Sequence, residues 1–188
     1  MKQASTAWVV AITGFKSYLR SAEKAAGTIR LRTYYLGRFA VDVTAADREH
    51  SHPFEGVGMD QVVDWLSNPA WGAETRKSAR ASLISFYSWA VRSRRITADA
   101  NPAAQLDPVT VPRALPRPTP DEVLVDALLT ANDSERLQLM LAGYAGLRRA
   151  EVAQVHPADF NWESEQLLVR GKGGKQRLVP VHPVLAAE

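Results

Sequence analysis

Apolar side chains recur along the first hundred residues at helical spacing. Trp8, Ile12, Phe15 and Leu19 fall at i, i+4, i+7 and i+11, which predicts an amphipathic helix over Ser5–Arg20. Gly27 and Thr28 interrupt it, and Thr28 is the expected N-cap of a second helix. Ile29, Leu36 and Phe39 mark the buried face of that helix, while Arg30 and Arg32 leave it in other directions. Asp42–Gly58 is rich in charge and turn formers and reads as a loop. A short third helix is expected over Met59–Ser67, burying Val62, Val63 and Leu66 and ended by Asn68-Pro69. The fourth and longest spans Glu74–Arg94, with Ala79, Leu83, Phe86 and Ala90 inward and Trp89 beside them. Four helices with short connections make a small α bundle.

Pro102, Pro108, Pro112, Pro116, Pro118 and Pro120 then follow within twenty residues. Such a run suits neither a helix nor a central strand, and reads as a stiff, extended linker. It divides the chain into a helical domain over 1–107, a linker over 108–118 and a second domain over 119–188. Thr119-Pro120-Asp121-Glu122 has the pattern of a capping box with proline in the first helical position, opening a helix through Leu129. Leu137, Met140, Leu141 and Tyr144 predict another helix, which Gly146 can stop by taking positive φ. Glu151, Val152 and Val155 begin a new stripe. Arg148 is therefore expected at a helix N-terminus, where free N–H groups favour an anion. Finally, Gln166–Arg170 and Arg177–Val181 read as two strands of a hairpin, with Lys172 and Lys175 projecting from the glycine-rich turn.

Composition narrows the class. No apolar run is long enough to span a membrane, and the N-terminal residues lack a signal-peptide apolar core. There is no cysteine, which excludes disulfides and thiolate metal sites and fits a reducing cytoplasm. Net charge is only +3, but it is unevenly spread. Arg76, Lys77, Arg80, Arg92, Arg94 and Arg95 lie in one acid-free stretch, and Arg30, Arg32 and Arg38 in another. Concentrated basic charge on particular helices suits a phosphate-binding surface, with ordinary solvated helix faces as the lesser alternative.

Two motifs carry a resemblance. Gly146-Leu147-Arg148-Arg149-Ala150-Glu151, then Gly171-Lys172-Gly173-Gly174-Lys175-Gln176-Arg177-Leu178-Val179-Pro180, resemble in order and spacing the first half of the catalytic domain of tyrosine recombinases, the phage integrase and Xer-type family. The threonines at 28 and 75, Asn101-Pro102 and the passage into Thr119-Pro120-Asp121 resemble the family's N-terminal core-binding domain. Arg32 departs from that pattern, since an aromatic is common there. The resemblance implies a mainly α fold: a SAM-like bundle of four or five helices, then an α+β catalytic-domain fragment with a small antiparallel sheet.

The resemblance further implies DNA cleavage through a 3′-phosphotyrosyl link, without metal or nucleotide cofactor. Arg148 would be the first catalytic arginine, Glu151 its supporting carboxylate and Lys172 the hairpin lysine that protonates the leaving 5′-oxygen. A guanidinium suits the first role because its planar fork can donate two hydrogen bonds to a phosphate and stays charged. Arg30, Arg32, Arg76, Lys77 and Arg80 are the expected DNA-binding residues of the bundle. Lys175 and Arg177 either touch the DNA backbone or merely keep the hairpin soluble. The glycine-rich turn is not a Walker loop, because Gln176 follows Lys175 and strands surround it. His156 and His182 precede prolines and read as turn residues.

The partners implied are a double-stranded DNA recombination site and, for a full-length protein, other protomers forming a tetramer on paired sites. Location would be cytoplasmic, with the nucleoid. No domain dedicated to arm sites is expected before the bundle, and a simple phage, Xer-type or mobile-element recombinase is the expectation. None of the five tyrosines takes the nucleophile's place, nor does a His-x-x-Arg element follow the hairpin. The chain as given is thus expected to bind DNA and cut nothing. A catalytically empty DNA-binding or regulatory protein derived from an integrase is the alternative, and a helical interaction module without a DNA role a third.

Overall fold

A computed structural model describes residues 3–46, 52–113 and 115–187. The chain divides into two compact units, Met1–Arg113 and Ala114–Glu188. The architecture is mainly α with one three-stranded antiparallel sheet. Among the described residues no helix is long and apolar enough to cross a membrane.

The first unit holds α1 (Thr6–Ser21), α2 (Ala26–Ala46), α3 (Met59–Leu66) and α4 (Ala73–Arg92). Ser5 caps α1, its side chain accepting from the Trp8 N–H at 3.3 Å. Two expected caps are displaced. The Ile29 N–H already bonds the Ala25 carbonyl at 3.0 Å, so α2 is closed before Thr28, which lies inside it. Likewise the Arg76 N–H bonds the Gly72 carbonyl at 3.0 Å, so α4 begins ahead of Thr75. Helix α4 ends at Arg92 because Arg94 takes a left-handed φ of 55°. The loop expected from Asp42 is also shorter, since α2 continues to Ala46 with Val43 buried; residues 47–51 of that stretch lie outside the described residues.

The core of this unit is a lattice of rings. Phe86 stacks on Trp8 at 5.8 Å and meets Phe15 edge-on at 5.5 Å, and Trp8 meets Phe39 edge-on at 5.6 Å. Such geometries add to area burial because ring edges and faces carry opposite partial charge. In α3 the inward stripe is Val62, Trp65 and Leu66, not Val63, which is 46% exposed. Trp65 is drawn in by Asp42, whose Oδ2 accepts its indole N–H at 2.8 Å.

The second unit holds α5 (Asp121–Thr130), α6 (Asp133–Gly143), the four-residue α7 (Arg149–Val152), β1 (Phe160–Asn161), β2 (Gln166–Arg170), β3 (Gln176–Pro180) and α8 (Pro183–Ala186). The expected box at Thr119 does not form: Pro120 itself occupies the N-cap and has no side-chain donor or acceptor. The box lies at α6 instead, where Asn132 and Glu135 exchange side-chain to backbone bonds of 3.0 and 3.1 Å. Leu137 faces outward, while Met140 and Leu141 are buried. Gly146 has φ 62°, and the chain folds back so that the Leu147 N–H reaches the Leu141 carbonyl at 3.2 Å. The sheet runs β1-β2-β3, with Leu167 opposite Val179 and Val169 opposite Arg177. Leu167 and Val169 point into a small core with Met140, Leu141, Ala145, Leu147, Val181 and Leu185.

Candidate nucleic-acid interface and phosphate site

Glu151 is the centre of the second unit's polar structure. It lies in α7 and is only 6% exposed. Four hydrogen bonds converge on its carboxylate. The Arg148 backbone N–H donates to Oε2 at 2.9 Å and Arg148 Nη1 to Oε1 at 3.1 Å. Arg177, reaching across from β3, donates Nη1 to Oε1 at 2.8 Å and Nη2 to Oε2 at 2.9 Å. This is a full guanidinium–carboxylate fork. The Arg177 bonds above all, then the Arg148 N–H, hold the Glu151 carboxyl down at about 2. It is therefore ionised at any physiological pH.

Arg148 is the N-cap residue of α7, and its side chain is 79% exposed. One guanidinium nitrogen is anchored and the rest of the fork faces solvent. Helix α7 has only four residues, too few for the N-terminal dipole invoked from the sequence; the attraction for an anion rests on the guanidinium.

A second fork lies beside the first. Asp159, 3% exposed at its side chain, takes Arg170 Nη2 at 2.6 Å and Arg170 Nη1 at 2.8 Å, and also accepts the His156 N–H at 2.9 Å. Arg170 and, after it, the His156 N–H lower the Asp159 pKa. Each fork ties one strand of the hairpin to the segment that carries Arg148.

Between the strands, residues 172–174 form a 3-10 turn, with Gly173 and Gly174 at φ 76° and 72°. Both values lie where side chains with a Cβ are disfavoured. The Gly171 N–H bonds the Lys175 carbonyl at 2.7 Å. A Cβ added at Gly171 would lie 3.5 Å from Glu151 Oε1, so the backbone entering Lys172 passes close to the carboxylate that anchors Arg148. The Lys172 side chain lies outside the described residues. Lys175 is exposed.

The basic residues expected to bind DNA from the first unit separate into two groups. Arg32 donates to the Ala81 carbonyl at 2.8 Å, tying α2 to α4. Burial lowers its pKa. Arg76 donates to the carbonyls of Leu66, Asn68 and Trp71 at 2.8, 3.2 and 3.2 Å, closing the end of α3. Arg80 donates to the Leu106 carbonyl. These three brace the bundle. Arg30 and Lys77 are exposed on α2 and α4. Arg38, counted from the sequence in a basic stretch but not among the expected DNA-binding residues, has its guanidinium over the rings of Tyr34 at 6.0 Å and Trp71 at 5.4 Å. Its spacing from Arg30 and Tyr34, four residues apart each, was the available signal. Of the chain's Lys and Arg residues, fifteen lie in the first unit against ten Asp and Glu, and eight against ten in the second. The positive excess is thus confined to the helical unit.

No family model matches the chain. It is 30% identical over 187 residues to the tyrosine recombinase XerA of Pyrococcus horikoshii, across 93% of this chain and 56% of that protein. It is 34% identical over 142 residues to the tyrosine recombinase XerD of Xanthomonas campestris pv. campestris, across 68% of this chain and 42% of that one. The chain belongs to the tyrosine recombinase family. This family member spans about half the length of the curated relatives it matches. Its fold is similar to that of a lambda integrase(75-356) dimer bound to a COC′ core site, with TM-score 0.68, 19% identity, and coverage of 91% of this chain and 61% of that one. The XerH site-specific recombinase bound to palindromic difH substrate matches with TM-score 0.58 and 19% identity over 80% of this chain and 48% of that one. Among the described residues, no cluster of His, Asp and Glu is arranged to hold a metal ion.

Proposed function

We propose that this chain is the DNA-gripping unit and the first part of the catalytic unit of a site-specific tyrosine recombinase. The observation that carries this reading is the buried, ionised Glu151, which fixes Arg148 by backbone and side chain while leaving its fork in solvent. A preorganised cation of this kind stabilises the charge that builds on a phosphoryl group under attack. Arg148 takes the scissile phosphate. Lys172, on a turn whose backbone runs beside Glu151, delivers the proton to the leaving 5′-oxygen. Arg30, Lys77 and Lys175 meet the phosphate backbone of duplex DNA, and further protomers complete the assembly on paired sites.

The second unit's single tyrosine, Tyr144, stacks on His182 at 4.9 Å. It is not offered as a nucleophile, and these 188 residues by themselves bind duplex DNA without cutting it. The test is duplex mobility across a salt series. Binding should weaken steeply with salt, and the slope should shallow by about one per phosphate contact removed in Arg30→Ala and Lys77→Ala. Salt-independent binding, or none, refutes the reading. In a protein that carries these residues with a nucleophile, a substrate with a 5′-bridging sulfur should rescue Lys172→Ala far more than Arg148→Lys, because a thiolate leaves without a proton.

A further inference from the structure

Arg177 differs from every other cation near the site. Both of its terminal nitrogens are committed, at 2.8 and 2.9 Å, to the two oxygens of a buried carboxylate that is also the anchor of Arg148. A phosphate drawn to Arg177 would meet only the N–H groups that Glu151 leaves over, on a guanidinium whose charge the buried carboxylate already balances. The stoichiometry is equally specific. Arg177 takes one bond to each oxygen and the Arg148 backbone N–H a second on Oε2, so the Arg148 side chain is left with Oε1. The three groups together carry a single net positive charge, and Arg148, 79% exposed, presents more of it to solvent than Arg177, at 39%.

We propose that Arg177 is a positioning residue for Arg148, acting through their shared Glu151 carboxylate rather than by contacting DNA. This rests on the reading of Arg148 as the phosphate ligand. Were Arg177 absent, Glu151 would be free to accept both Arg148 nitrogens, and the catalytic fork would turn inward onto the carboxylate. Arg177 also stands at the start of the strand that leaves the Lys172 turn. The same contact therefore ties the position of the hairpin to that of Arg148.

The neighbouring fork supplies the control. Arg170 holds Asp159 as Arg177 holds Glu151, but it has no bond to the Arg148 anchor. We would follow the Arg148 Nε–Hε signal by 15N NMR in the 188-residue chain, with inorganic phosphate as the probe, in wild type, Arg177→Gln, Arg177→Lys and Arg170→Gln. Arg177→Gln should shift the Arg148 signal even without phosphate and weaken its response to phosphate about tenfold. Arg177→Lys, which can occupy only one oxygen, should recover part of that loss. The Glu151 carboxyl, followed by 13C NMR, should rise from about 2 in Arg177→Gln and stay put in Arg170→Gln. Arg170→Gln should leave the Arg148 response within about twofold of wild type. In an Arg148→Ala background the salt slope of DNA binding should be the same with and without Arg177→Gln, since Arg177 makes no phosphate contact of its own.

An unchanged Arg148 signal in Arg177→Gln overturns the proposal. So does equal damage from Arg170→Gln, which would reduce the fork to general hairpin bracing, and so does a salt slope that Arg177→Gln lowers by a further one in the Arg148→Ala background. If wild-type Arg148 ignores phosphate, the phosphate reading fails, while the phosphate-free Arg148 signal still decides the positioning link. If Arg177→Gln does not fold, Arg177→Lys carries the comparison. If neither folds, the fork holds the fold and the positioning role is rejected.

Discussion

Arg76 and Arg80 in the helical unit and Arg170 and Arg177 in the second unit perform similar mechanical work on different partners. The first pair ends on main-chain carbonyls, the second on buried carboxylates. A carbonyl satisfies a guanidinium without cancelling its charge, so the braces of the bundle still add to its positive field. A carboxylate cancels it. In the second unit each fork therefore balances a guanidinium with a carboxylate, and Arg148 is the more exposed of the two arginines on Glu151. The two units are also held differently. The helical unit rests on a wide lattice of aromatic rings, whereas eight buried apolar residues make the second core, with charged forks over it. A thin core with ionic bracing suits a surface that must present one side chain in fixed geometry.

Truncating the aromatic lattice should have the largest effect. Phe86→Ala should cost about 3–5 kcal/mol in urea unfolding read by tryptophan fluorescence, because Phe86 is fully buried among Trp8, Phe15 and Trp89. A cost under about 1 kcal/mol would mean that the rings are not the main support. Leu167→Ala in the second unit should cost less, about 2–3 kcal/mol, since a small core can relax around the cavity. Hydrogen exchange of the β2 amides would measure it, and a cost above that of Phe86→Ala would invert the comparison.

Ionic bracing should make the second unit acid-sensitive. Glu151 and Asp159 have folded pKa values below their ordinary ones, so each favours the ionised fold. Their stabilisation is fully present above the unfolded carboxylate range near 4.5, and is lost as pH falls from there through about 2 for Glu151. The hairpin amides should lose protection over that window, and Arg177→Gln should flatten the loss. The bundle's arginine braces end on main-chain carbonyls rather than carboxylates; equal acid loss by Arg76 and Arg80 contacts would break the distinction. At the small end, Lys77→Ala should change stability by under about 0.5 kcal/mol while lowering the salt slope of DNA binding, whereas Arg80→Ala should cost about 1–2 kcal/mol by leaving the Leu106 carbonyl without its partner.

Periodicity alone located α1, α4 and the β2–β3 pair, because a helix or strand must bury whichever face its sequence makes apolar. The two motifs pointed to the family through their order and spacing, and their glycines at 146, 173 and 174 do take positive φ. Boundaries were less legible. Thr28 and Thr119 have capping chemistry, yet neighbouring backbone groups had already closed or displaced those turns. Trp65 rather than Val63 faces inward because Asp42, twenty-three residues earlier, accepts its N–H. The division of the arginines was decided by tertiary structure only. Nothing local distinguishes Arg80 from Lys77, or Arg177 from Lys175; what separates them is a carbonyl or carboxylate supplied from a distant part of the chain. A guanidinium takes its role from the acceptor it meets, and that acceptor is chosen by the fold.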